Sequence, residues 1–349
     1  MSAQVSIPKG TAALHRVLNR LGRPTDGKGV IAEQDLTTFE EFKLDTATSN
    51  SVGSSKLYET GIKAIDLLAP IPSGGIYTLI GDLGLGKLVI IEELIHNLAT
   101  RRHGYAVAVT MGETSYETTG LGTSIVEGNL QAQTAVIFEP QSGKSDVSRQ
   151  LIQVGLNVAR QLRGQGHEVL LLIDEPVVSY ARALHLPGLA AAVQAESITT
   201  LLLTRTEEKD QASAGKLVMS RALAEQRLYP AMDRLASTST LLQGNATDQE
   251  HQETTRQVCA LLQQAETLQQ QSTHSAQEQQ LLNRARRLNL FLTQPFHVAE
   301  TFSGIPGEYL STAETLNSVH DLLSGRYDTL PEAAFTFVGT IDQVIAKAQ

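Results

Sequence analysis

Residues Gly81 to Leu88 read GDLGLGKL. A Gly-x-x-x-x-Gly-Lys spacing, set between a strand and a helix, is the arrangement that a phosphate-cradling loop requires. Gly81, Gly84 and Gly86 permit a tight backbone whose N–H groups converge on anionic oxygens, with Asp82, Leu83 and Leu85 between them. The helix that follows adds its positive N-terminal end, and Lys87 adds a mobile point charge for the outer phosphates. The next residue of such a loop normally carries a hydroxyl that ligates Mg²⁺. Here it is Leu88. Phosphate binding depends on backbone and Lys87 and survives this change, whereas metal-dependent hydrolysis is expected to be much weaker. A glycine-rich turn with a solvated lysine is the plainer alternative.

Three carboxylates extend the same chemistry. Asp174 ends the apolar run VLLLI (Val169 to Ile173) and is followed by Glu175. A carboxylate at the carboxyl end of a buried strand can hold Mg²⁺ through water, and Glu175 is a second candidate for polarising an attacking water. Glu113 follows the run YAVAVTM (Tyr105 to Met111). At the same sheet edge it could orient or deprotonate water for in-line attack on a terminal phosphate. Each has a plain alternative too, because acidic residues commonly end strands where the chain reaches solvent.

The elements that must position these groups are legible as period and composition. IYTLI (Ile76 to Ile80), YAVAVTM, TAVIF (Thr134 to Phe138), VLLLI and ITTLLLT (Ile198 to Thr204) are short, nearly all-apolar runs, as strands buried on both faces of a parallel sheet are. LVIIEELIHNLA (Leu88 to Ala99) has the three- and four-residue apolar spacing of a helix. Strand alternating with helix predicts a doubly wound α/β domain. The first 55 residues are rich in turn formers and predict extended, loop-dominated structure. From 241 to 349 the periodicity is helical, with Val258, Leu261, Leu262, Ala265 and Leu268 on one stripe and Leu281, Leu282, Ala285 and Leu288 on another. The Gln-rich stretch Gln269 to Gln280 between them is either a hairpin tip or a flexible loop. The expected division is therefore 1–55, 56–240 and 241–349.

With 349 residues, 41% hydrophobic and 19% charged, the chain has the composition of an ordinary globular protein. A net charge of -9 argues against a general nucleic-acid or anionic-membrane binder. The single cysteine, Cys259, excludes an intramolecular disulfide framework and fits a reducing, cytoplasmic setting. No window approaches the roughly 18 to 20 consecutive apolar residues of a membrane span, so any membrane connection is expected to be indirect, through partners.

Read together, these motifs resemble the β subunits of rotary ATP synthases. LYETGIKAIDLLAPIPSGG (Leu57 to Gly75) is similar to the segment leading into that family's phosphate loop, and LLLIDE (Leu170 to Glu175) to its magnesium-side strand. MGET (Met111 to Thr114) is similar to the stretch carrying its catalytic glutamate, a role that falls on Glu113. SRALAEQRLYPAMDRLAST (Ser220 to Thr238) and FLTQPFHVAETFSG (Phe291 to Gly304) resemble its adenine-side segments. The resemblance implies a RecA-like, mostly parallel sheet followed by a helical domain. It implies ATP or ADP as ligand, with Tyr229, Phe296 and Phe302 around the adenine, and α-like subunits as partners in a hetero-oligomer.

The departures share a direction. Leu88 replaces the magnesium-binding hydroxyl, Thr114 replaces an arginine beside the catalytic glutamate, and another family arginine falls on Val178. IPKGTAALHRVLNRLGRPTDGKG resembles the region just after the family's N-terminal β-barrel, so the resemblance leads to the expectation that the barrel is absent. Loss of one charge-stabilising group typically costs on the order of 10²–10³-fold in rate. The expectation is a nucleotide-binding β-like subunit with weakened or lost hydrolysis. The alternatives are an active, proton-translocating catalytic subunit and a degenerate copy without nucleotide function.

Overall fold

The computed structural model describes residues 6–44, 56–82, 84–141, 145–183, 188–207, 213–243 and 246–349. The chain divides into two compact units, one of Met1–Ser54, Pro72–Leu83 and Lys87–Ala214, the other of Ser55–Ile71, Gly84–Gly86 and Gly215–Gln349.

Six strands of the central, mostly parallel sheet lie in the first unit: β1 (Val17–Leu18), β2 (Ile76–Ile80), β3 (Tyr105–Gly112), β4 (Thr134–Pro140), β5 (Val169–Ile173) and β6 (Thr199–Thr204). Their spatial order is β2-β6-β5-β3-β4-β1, and every one of these pairs is parallel. The helices between them are α1 (Lys87–Arg102), α2 (Gly120–Glu127), α3 (Ser145–Gly164), α4 (Glu175–Ala183) and α5 (Gly188–Ala195). The doubly wound α/β expectation therefore holds. Every residue of β2, β5 and β6 is buried, because helices cover both faces and leave no polar side to alternate. One large apolar cluster joins Val107, Val109, Leu171 and Ile173 of the strands to Leu151, Leu156 and Leu162 of α3.

Two features of the N-terminal region carry no sequence signal. Ser6–Pro8 pairs antiparallel with Leu36–Thr38, and β1 joins the sheet through Val17↔Val136 and Leu18↔Ile137. A two-residue strand is too short to show a period, so only its partner reveals it.

The second unit is largely helical. Helices Gln249–Gln269 and Ala276–Phe291 flank a short connection, so the Gln-rich stretch is the tip of a helical hairpin. Ser275 and Glu278 cap the second helix reciprocally, side chain to backbone in both directions, which satisfies two amides otherwise left orphaned. An antiparallel strand pair, Gly215–Val218 with Thr238–Ser239, completes it. At its centre lies the helix Lys63–Leu68 with a fully buried lysine. Lys63 Nζ donates to the carbonyls of Phe291 and Val338 at 2.6 Å each and of Gly339 at 3.0 Å. Three acceptors match the three donors of an ammonium, although burial pulls the Lys63 pKa well down. Among the described residues no helix is long and apolar enough to cross a membrane.

Candidate phosphate-binding edge and its surroundings

Because the six strands run parallel, the segments after β2, β3, β5 and β6 emerge at one edge of the sheet, where ligands of open α/β sheets bind. Four segments from distant parts of the chain thus bring Gly81, Glu113, Asp174 and Arg205 to the same rim. Ile80 is level with Thr204, and Ile173 lies opposite both Val109 and Leu202.

Lys87 opens α1 and is only 8% exposed. Its Nζ donates to the Gly81 carbonyl at 2.8 Å and to the Thr204 carbonyl at 3.0 Å. The same Thr204 oxygen accepts the Gly81 amide at 3.0 Å, so β6 anchors both ends of the loop. Burial lowers the Lys87 pKa, while Glu175 and Asp174 oppose that shift. Asp174 is half-buried, and burial raises its pKa. Hydrogen bonds offset part of this: Thr110 Oγ1 donates to Oδ2 at 2.7 Å and the Glu175 amide to Oδ1 at 2.9 Å. Glu175 starts α4, and its Oε2 lies 2.8 Å from Arg205 Nε.

The other expected residues have different surroundings. Leu88 is half-buried, and its Cδ1 lies over Gly120 of α2, 3.5 Å from where a Cβ would stand. Glu113 is exposed beyond the end of β3. Thr114 beside it is also exposed, its hydroxyl 3.5 Å from that of Thr118. Val178 is buried in the core cluster, so the carbon at that position belongs to packing. Leu83 lies outside the described residues.

In the second unit, Gly84 and Gly86 have φ of +78° and +85°, conformations that glycine adopts at little cost. A Cβ on Gly84 would meet nothing within 4 Å, so the loop backbone is open there. Leu85 is buried between the two glycines. A Cβ on Gly86 would stand 3.5 Å from the Tyr229 ring, which is 37% exposed. Tyr229 is tied to the Phe296 segment by the Gln294 amide, which donates to its carbonyl at 3.0 Å. Phe296 is 5% exposed and Phe302 91%. The structure thus brings Tyr229 to the last loop glycine and leaves Phe302 in solvent.

These residues fit a phosphate better than a metal. A lysine at the head of a sixteen-residue helix and an arginine at the same edge favour an anion. Mg²⁺ needs oxygen ligands. Each Asp174 oxygen accepts one hydrogen bond and keeps a lone pair for a metal, but the Leu88 side chain has only carbon to offer.

Arg205 and Thr110 escape a motif-based reading. The signal for the arginine is its place immediately after the apolar run ITTLLLT. For Thr110 it is a single hydroxyl inside the otherwise apolar run YAVAVTM. Residues 61–193 match the model of the ATP synthase alpha/beta family, nucleotide-binding domain. That stretch holds the loop, Glu113 and Asp174 and stops short of Arg205 and Tyr229. This part of the chain is similar to an ATP synthase alpha/beta-type nucleotide-binding domain, a likeness that implies nucleotide binding.

Proposed function

We propose that this protein is a β-like subunit that binds ATP or ADP within a rotary-ATPase-type assembly, with hydrolysis weakened or lost. One observation carries the reading: an intact lysine and glycine loop stands beside Leu88, whose side chain rests on Gly120 where a metal-binding hydroxyl is expected. The backbone and Lys87 hold the phosphates, and Tyr229, Phe296 and Phe302 are the candidates for the adenine. Asp174 remains the candidate metal-side carboxylate, weak as a site because Leu88 adds no hydroxyl. Glu113 and Glu175 are the candidates for orienting water. With Leu88, Thr114 and Val178 in place of polar or cationic groups, little stabilises the charge that develops in phosphoryl transfer. Its partners on this reading are α-like subunits in a hetero-oligomer, and any membrane connection is indirect, through the complex.

Titration calorimetry with ATP and ADP tests the reading. Wild-type protein binds both, Lys87→Ala loses most of the affinity, and ATP turnover stays at the level of Lys87→Ala with or without Mg²⁺. Absence of nucleotide binding by the wild type would end the reading. Turnover well above Lys87→Ala in a complex with α-like subunits would favour the active catalytic alternative, for which retention of Lys87, Glu113 and Asp174 is the specific support.

A further inference from the structure

The charges around Lys87 are unbalanced for a polyphosphate. Among the described residues, Glu175, Asp174 and Asp82 set negative charge around the Lys87 ammonium, and Arg205 adds a positive one. Elsewhere such an imbalance is relieved by a metal ion bridging the phosphates, but the Leu88 side chain offers it no oxygen. Resting on the nucleotide reading above, we infer that Arg205 is the second phosphate-binding cation of this site and makes its nucleotide binding independent of Mg²⁺, with Glu175 as the resting partner from which phosphate displaces it.

Position supports this first. Arg205 directly follows Thr204, whose carbonyl anchors Lys87 Nζ at 3.0 Å, so the two cations leave the same strand end. Accessibility supports it next: the Arg205 side chain is 53% exposed and so is free to turn. Its ion pair with Glu175 Oε2, at 2.8 Å, uses Nε. Exposed ion pairs of this kind are weak in water. A guanidinium binds phosphate oxygens through two parallel, charge-assisted hydrogen bonds, and a dianionic terminal phosphate therefore outcompetes a single carboxylate. The cost of the exchange is that Glu175 is left unpaired near phosphate, so Glu175 restrains binding as well as holding Arg205 in place.

The test is calorimetry of ATP binding in EDTA and in excess Mg²⁺, on wild-type protein, Arg205→Ala, Arg205→Lys and Glu175→Gln, with thermal melts to verify folding. The wild type binds ATP about equally under both conditions. Arg205→Ala weakens binding in EDTA by about tenfold or more, the worth of one charge-assisted contact, and Arg205→Lys recovers part of the loss. Glu175→Gln tightens ATP binding a few-fold, whereas a merely structural ion pair predicts that it weakens. Wild-type affinity in Arg205→Ala, or strict Mg²⁺ dependence of the wild type, overturns the role of Arg205 and leaves the nucleotide reading standing. No binding by wild-type protein under either condition overturns both.

Discussion

Thr110 Oγ1 donates a hydrogen bond of 2.7 Å to Asp174 Oδ2 across the neighbouring strands β3 and β5. The contact orients the carboxylate at the end of β5 and offsets part of what burial does to its pKa. Thr110→Val keeps the shape and removes the donor, leaving a half-buried carboxylate oxygen short of a partner. The expected cost is about 1–2 kcal/mol of stability, read as a lower denaturant midpoint at unchanged slope. A change below a few tenths would show that water replaces the hydroxyl freely.

Leu88→Thr exchanges an apolar contact with Gly120 for a hydroxyl. Stability falls by about 1 kcal/mol as the apolar contact is lost, which a thermal melt measures. In calorimetry the variant gains Mg²⁺ dependence of ATP binding that the wild type lacks. If both proteins respond alike to Mg²⁺, Leu88 is not what separates this site from metal.

Lys63→Met tests the buried ammonium. The methionine fills the space but leaves the carbonyls of Phe291, Val338 and Gly339 without their donor. Each buried unsatisfied group costs roughly 1–3 kcal/mol, so a loss of at least about 3 kcal/mol is expected in denaturant unfolding. Because all three carbonyls belong to the second unit, protection from hydrogen exchange falls first there. A neutral outcome would mean that the lysine is uncharged and dispensable.

Asp26 predicts a pH dependence. Burial alone would raise its pKa, but the Arg16 guanidinium, at 2.7 and 3.1 Å, and the amides of Lys28 and Val17 outweigh it and hold the group at about 2. An acid depressed below its unfolded value of 3.8 stabilises the fold above that pH and loses its contribution as pH falls toward about 2. Acid unfolding followed by circular dichroism should therefore be less steep between pH 4 and 2 for Asp26→Asn than for wild type. Equal slopes would remove Asp26 from the account.

By itself the sequence determined what is local. Apolar runs such as VLLLI and IYTLI specify buried strands, three- and four-residue spacing specifies α1, and glycine at 84 and 86 specifies a loop with positive φ. It also placed Lys87 at a helix start and Asp174 at a strand end, because both facts follow from neighbours in the chain. Tertiary structure decided what depends on strand order. Only the β2-β6-β5 adjacency sets the Thr204 carbonyl against Lys87 and puts Arg205 within reach of Glu175. Likewise, only folding brings the carbonyls of Phe291, Val338 and Gly339 around Lys63. The physical reason is that a hydrogen bond or ion pair is set by proximity in space, and proximity between distant segments follows from sheet pairing and packing, which no single window of residues encodes.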